Sequence, residues 1–190
     1  VDKKADPGFA AADLLSQAEH GVDSQVVLVA PDREKATAIE KAVESQLQEL
    51  PRKDIARHAL NNSVVLVESS EKAILDIFND YGPEHLILNM KDPDYLLDGI
   101  INAGSVFIGA YTPESAGDYA SGTNHTLPTN GWAKPYSRVS LESVQKKITN
   151  QKISKKGIRK LGPVIEKMAA AEQLDAHKNA VTLRLKALDK

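Results

Sequence analysis

With no cysteine in its 190 residues, the chain must draw any acid–base or metal chemistry from its five histidines, its 26 carboxylates and its amides. Gln17 and His20, in SQAEHG, are three residues apart, which on a helix puts them on one face. An amide oxygen and an imidazole can both bind a borderline divalent ion such as zinc, and two solvated polar residues would look the same. Glu84 and His85 follow Pro83 at the mouth of a short apolar run. An imidazole titrates near neutrality, so beside a carboxylate it can serve as a general base with a second proton-transfer group. A capped strand end with solvated side chains is the competing account. From Pro113 to His125 the chain collects small residues, carboxylates and a histidine just after an apolar run. Asp118 in that stretch can act as a metal ligand or a cation partner, or the stretch can be a plain surface turn. Glu172 and His177 straddle a helix junction at which Asp175 reads as an N-cap, so His177 can sit in a first helical turn with no further role. His58, in ARHAL, reads as a helix-surface residue.

The elements that must position these residues alternate. Asp6-Pro7 reads as an N-cap followed by proline at the first helical position, and Gly21 as a stop, which predicts a helix over 7–20. Its leucines, Leu14 and Leu15, with Ala18, point roughly away from Gln17 and His20. The run Ser24 to Ala30 predicts a strand covered on both faces, and Asp32 to Leu50 a helix with Ala36, Ile39, Ala42, Val43 and Leu47 on one side. A helix over 53–60, a strand over 63–67, a helix over 71–80, a short strand over 85–89, a helix over 92–101 and a buried strand over 105–110 follow. This rhythm predicts an α/β fold built on a parallel sheet. A long polar loop then runs to about Arg138, placed where ligands bind in open α/β sheets, beyond the carboxyl ends of strands. From Leu141 the chain reads as lysine-rich helix, interrupted at Gly162-Pro163, with a last helix opening near Asp175. These boundaries predict an α/β domain over 1–139 and a helical tail over 140–190. The tail has too few large apolar residues for its own core and is expected to dock on the α/β body or on another subunit.

The net charge of −2 provides no global field for nucleic acid. The basic stretch Lys146 to Lys160 carries seven Lys/Arg and no acid, but also no aromatic residue for base stacking, and reads as a solvated helix face. The longest apolar run, Val26 to Ala30, is far short of the roughly 20 residues a bilayer span needs, and the N-terminus does not read as a signal peptide. A cytoplasmic, soluble protein is expected, without nucleic-acid or membrane partners. No glycine-rich dinucleotide fingerprint, P-loop or nucleophile elbow occurs.

Taken together, LLSQAEHG (14–21), GPEHL (82–86), PESAGDYASGTNHTLPT (113–129) and AAAEQLDAHKNAVTLR (169–184) resemble the C-terminal half of the histidinol dehydrogenase family, in that family's order and across essentially the whole chain. The resemblance implies oxidation of L-histidinol through L-histidinal to L-histidine, the last step of histidine biosynthesis, by two hydride transfers to NAD at a site that holds Zn2+. It implies a homodimer whose C-terminal tail completes the partner's active site. Motif by motif, it makes Gln17, His20 and Asp118 zinc ligands, with His177 delivered by the other subunit. It makes His85 the base that takes the alcohol proton and Glu84 the activator of water at the aldehyde stage. Gln17, His20, His85, Asp118, Glu172 and His177 would line the substrate pocket, with Glu172 near the substrate's ammonium group. The family's N-terminal half, with its NAD contacts and a substrate-binding serine, has no counterpart here, and the first residue is Val. The chain is therefore expected to be a fragment of a histidinol dehydrogenase, inactive alone. Two other readings are a zinc-dependent module that binds an imidazole ligand without catalysis, and a zinc hydrolase using Glu84 or His85 on metal-bound water.

Overall fold

The structure, a computed structural model, describes residues 1–189, and the chain forms two compact units, Val1–Val144 and Gln145–Lys190. In the first unit, helix α1 (Pro7–Ala18) starts where Asp6 accepts hydrogen bonds from the Gly8 and Phe9 amides, with Pro7 in the first turn. It buries Ala10, Ala11, Leu15 and Ala18 against α2 (Arg33–Leu47) and α3 (Lys53–Asn61). Asp32 caps α2 by accepting from the Lys35 amide. Leu15, Ala18, Val26, Leu47, Ala56 and Ala59 form one apolar cluster, and Ala10, Leu28, Ala30, Ala36 and Ile39 a second, with Leu14 packed against both. Burying one such leucine or isoleucine stabilises by roughly 1.5–3 kcal/mol.

The parallel sheet is present as two separate pieces. Strand β1 (Val27–Ala30) pairs in parallel with β2 (Val64–Val67), Val27 opposite Val64. Helix α4 (Glu71–Tyr81) ends on Gly82, and β3 (His85–Leu88) then pairs in parallel with β4 (Ser105–Ile108), His85 opposite Ser105. Between β3 and β4 lies only a single helical turn, α5 (Asp94–Leu97), which buries Leu96 against Leu86 and Leu88. The helix predicted over 92–101 is this short because Pro93 stands at its start and Gly99 follows closely, leaving room for little more than a turn. In β1 the side chains alternate between buried and half-buried, and in β2 Val64, Val65 and Val67 are exposed, so neither strand is covered on both faces.

The polar segment after β4 contains a helix that its glycine content conceals, α6 (Glu114–Tyr119), followed by turns and a single turn of helix, α7 (Leu141–Val144). The second unit is a helical hairpin of α8 (Lys155–Ala171) and α9 (Asp175–Leu188). The interruption predicted at Gly162-Pro163 does not occur: α8 runs through Pro163. A proline inside a helix removes one hydrogen bond and clashes with the preceding turn, at a cost of about 3 kcal/mol. Packing of α9, whose Leu185 lies over Gly162, offsets that cost. No helix among the described residues is long and apolar enough to cross a membrane.

Candidate functional site

The first unit carries a cleft of about 800 Å³ whose polar lining includes Asp13, Gln17, Glu84, His85, Asn89 and Glu114. Burial of the leucine face of α1 places Gln17 at this cleft. His20 is not on the helix: α1 ends at Ala18, and His20 sits in the following turn, where its amide donates to the Gln17 carbonyl at 3.3 Å. Its side chain remains 57 % exposed.

Glu84 and His85 are fixed by the pairing of β3 with β4. The Gly104 amide donates to the Pro83 carbonyl and the Ser105 amide to the Glu84 carbonyl, both at 2.9 Å. His85 is the first residue of β3; its Nδ1 lies 3.1 Å from Gln17 Oε1, and its ring packs at a tilt on Phe107 of β4, with centroids 5.8 Å apart. Its Nε2 is buried and has no hydrogen-bond partner among the described residues. Burial holds the His85 imidazole below its usual pKa, with Asp118 opposing the shift and His20 adding to it, so at neutral pH the ring is uncharged. Burial also raises the Glu84 carboxyl.

Helix α6 brings two carboxylates to the same place. Glu114 is buried, with 3 % of its side chain exposed. Its Oε1 lies 3.7 Å from both His20 Nε2 and His85 Nδ1, and its Oε2 lies 3.4 Å from Ser16 Oγ. Burial, reinforced by the charge of Asp118, pushes its carboxyl up to about 7. Asp13, at the cleft wall, is pushed up to about 6 by burial alone. The close approach of α6 depends on Gly117: a Cβ there would meet the Phe107 ring at 2.7 Å, and that ring in turn backs His85.

Ligand atoms of His20, Glu114 and Asp118 all lie within 4.8 Å of one another. One imidazole and two carboxylates form a nitrogen/oxygen donor set of the kind that suits a borderline divalent ion such as zinc. The structure thus gathers Gln17, His20, Glu84, His85 and Asp118 into one neighbourhood of the first unit. Glu172, at the C-cap of α8, and His177, in the first turn of α9, belong to the second unit and are exposed there. His58 and His125 are exposed. Sequence reasoning missed Asp13 and Glu114. For Glu114 a signal existed, since Pro113-Glu114 after a strand is a helix-start pattern with an acid in the first turn.

A family model described as "Histidinol dehydrogenase" matches residues 1–185. A curated histidinol dehydrogenase from Bacteroides fragilis (strain YCH46) is 58% identical over 191 residues, covering 100% of this chain and 44% of the relative. One from Pectobacterium atrosepticum is 55% identical, covering 99% of this chain and 42% of its own length. A crystal structure of histidinol dehydrogenase from Elizabethkingia anophelis superposes with a TM-score of 0.98 at 56% identity, covering 100% of this chain and 44% of that one. The chain spans less than half the length of the curated relatives it matches.

Proposed function

The chain belongs to the histidinol dehydrogenase family, and from that premise we propose that its cleft is the proton-handling and metal-holding part of a site that oxidises L-histidinol through L-histidinal to L-histidine. The observation that carries this reading is the convergence of an uncharged, buried imidazole, His85, with a nitrogen/oxygen donor set a few ångströms away.

The donor chemistry fits zinc. Gln17, His20 and Asp118 would hold it in this chain, together with His177 supplied by the tail of a second copy. When bound, zinc supplies Lewis acidity that orients the substrate's nitrogen atoms. NAD, when bound, supplies the hydride acceptor for both oxidations; its contacts lie with residues other than those of this chain.

His85 takes the proton of the substrate alcohol as the first hydride leaves. Its low affinity for protons in the buried state keeps it a free base at neutral pH. Glu84 orients the water that adds to the aldehyde, after which a second hydride and a second proton leave to give the carboxylate. Desolvation of Glu84 raises its carboxyl and so makes it a better proton acceptor for that water. Glu172 stands for the substrate's ammonium group. The helical second unit, residues 145–190, serves as a dimerisation tail, and a cytoplasmic setting goes with this chemistry.

The test uses the complete gene product. His20→Ala and Asp118→Ala, each prepared with its zinc content measured, are expected to lose zinc and L-histidinol-dependent NADH formation together. Full turnover with zinc absent from both variants would overturn the reading.

A further inference from the structure

His85 can act as a base only if the proton of its neutral ring sits on one nitrogen and the lone pair on the other, so something must choose the tautomer. Two oxygens converge on Nδ1: Gln17 Oε1 at 3.1 Å and Glu114 Oε1 at 3.7 Å. They are not equivalent. An amide can turn its NH2 toward the ring and serve either tautomer, whereas an ionised carboxylate can only accept. The Gln17 contact alone is therefore compatible with either state, and the Glu114 contact is not.

Glu114 has few other partners. Ser16 Oγ is 3.4 Å away and donates more closely, at 2.8 Å, to the Asp13 carbonyl. A carboxylate this buried is kept ionised by whatever donors surround it, and here those are the two ring nitrogens, Nδ1 of His85 and Nε2 of His20. Asp13, Glu84 and Asp118 add only negative charge nearby. On the far side of the His85 ring, Nε2 is shielded from solvent and has neither donor nor acceptor among the described residues. Nothing there competes for a lone pair.

We propose that Glu114 is a positioning residue that holds His85 in the tautomer with its proton on Nδ1, leaving the Nε2 lone pair as the proton acceptor. The assignment rests on the reading of His85 as the base, but its first test does not need turnover. A carboxylate one contact removed from a working imidazole commonly fixes its tautomer and orientation, and removing one typically costs 10–100-fold in activity or metal affinity.

The complete gene product, labelled with 15N at histidine and held well above pH 7 so that Glu114 is ionised, reports the tautomer directly through two-bond 15N–1H correlations. The wild type is expected to show the Nδ1–H pattern at His85. Glu114→Gln is expected to shift that signal toward Nε2–H, with kcat lowered about 10-fold or more and KM little changed, and Glu114→Asp to restore part of both. An Nε2–H pattern in the wild type would overturn the assignment even if a variant failed to fold. So would a Glu114→Gln protein that kept the Nδ1–H signal. His85→Asn separates the two claims: full turnover in that variant would remove the base but leave the tautomer result standing.

Discussion

His85 Nδ1 and Gln17 Oε1 meet at 3.1 Å across a sequence separation of 68, so the first residue of β3 and the last turn of α1 form one structural unit. Whatever moves α1 against the β3–β4 pair moves the base against the metal-holding residues. The chemistry proposed for the chain depends on that contact being kept by packing on both sides: Leu15 and Ala18 beneath Gln17, and Phe107 beneath His85.

The role of His85 as a base separates cleanly from metal binding. In the complete gene product, His85→Asn is expected to lower L-histidinol-dependent NADH formation at least about 100-fold, the lower end of what a general base contributes. Zinc content should stay at the wild-type level, read on the same fraction. Loss of zinc in this variant would make His85 a ligand instead.

The backbone that carries Glu84 has no room beside it. A Cβ on Gly104 would lie 2.6 Å from the Glu84 carbonyl oxygen, a backbone atom that cannot swing away. Gly104→Ala is expected to push β4 off β3, at roughly 1–3 kcal/mol, and to weaken turnover by shifting Glu84 and His85. Thermal unfolding and kcat/KM of this variant should fall together. An unchanged melting temperature would mean that the two strands are not as closely apposed as described.

Two raised carboxyls make stability depend on pH in a definite direction. Glu114 titrates near 4.5 when unfolded and about 7 when folded, so between those values the folded protein binds more protons than the unfolded one. Its contribution is fully present below about pH 4.5 and is lost as pH rises through 7. Asp13, raised to about 6, acts in the same sense over a lower window. Relative to metal-stripped wild type, metal-stripped Glu114→Gln should therefore gain stability from pH 4.5 to 7, on the order of 3 kcal/mol. Chemical denaturation at several pH values measures it, and a difference between the two proteins that stayed flat across that window would contradict the burial of Glu114.

The tail residue His177 is expected to work in the other subunit. In a mixed dimer of the complete gene product with one His177→Ala tail, one of the two sites should lose its zinc. Retention of both metals would leave the tail without a role in the partner's site.

Much of this arrangement was legible in the residues. The Asp6-Pro7 start and the leucine face of α1 predict the side on which Gln17 lies, and Pro83 before Glu84-His85 predicts their place at a strand mouth. What local pattern could not carry is tertiary. Helix α6 hides in a glycine-rich stretch because Gly117 is there for contact with Phe107, not for a turn. α8 continues through Pro163 because α9 packs along it. Glu114 and Asp13 have ordinary sequence surroundings, and only burial beside imidazoles and other carboxylates sets them apart. The sheet reads as a single rhythm in sequence, while β1–β2 and β3–β4 pair separately, since strand order is a property of chain crossings and not of apolar runs.

The most direct test of the central claim is the product stoichiometry of the zinc-loaded complete gene product given L-histidinol and excess NAD. Two NADH formed for each L-histidine released is the expected result, because the proton acceptor and the water-orienting carboxylate serve successive oxidations in one cleft. No NADH from L-histidinol at full zinc occupancy would contradict it.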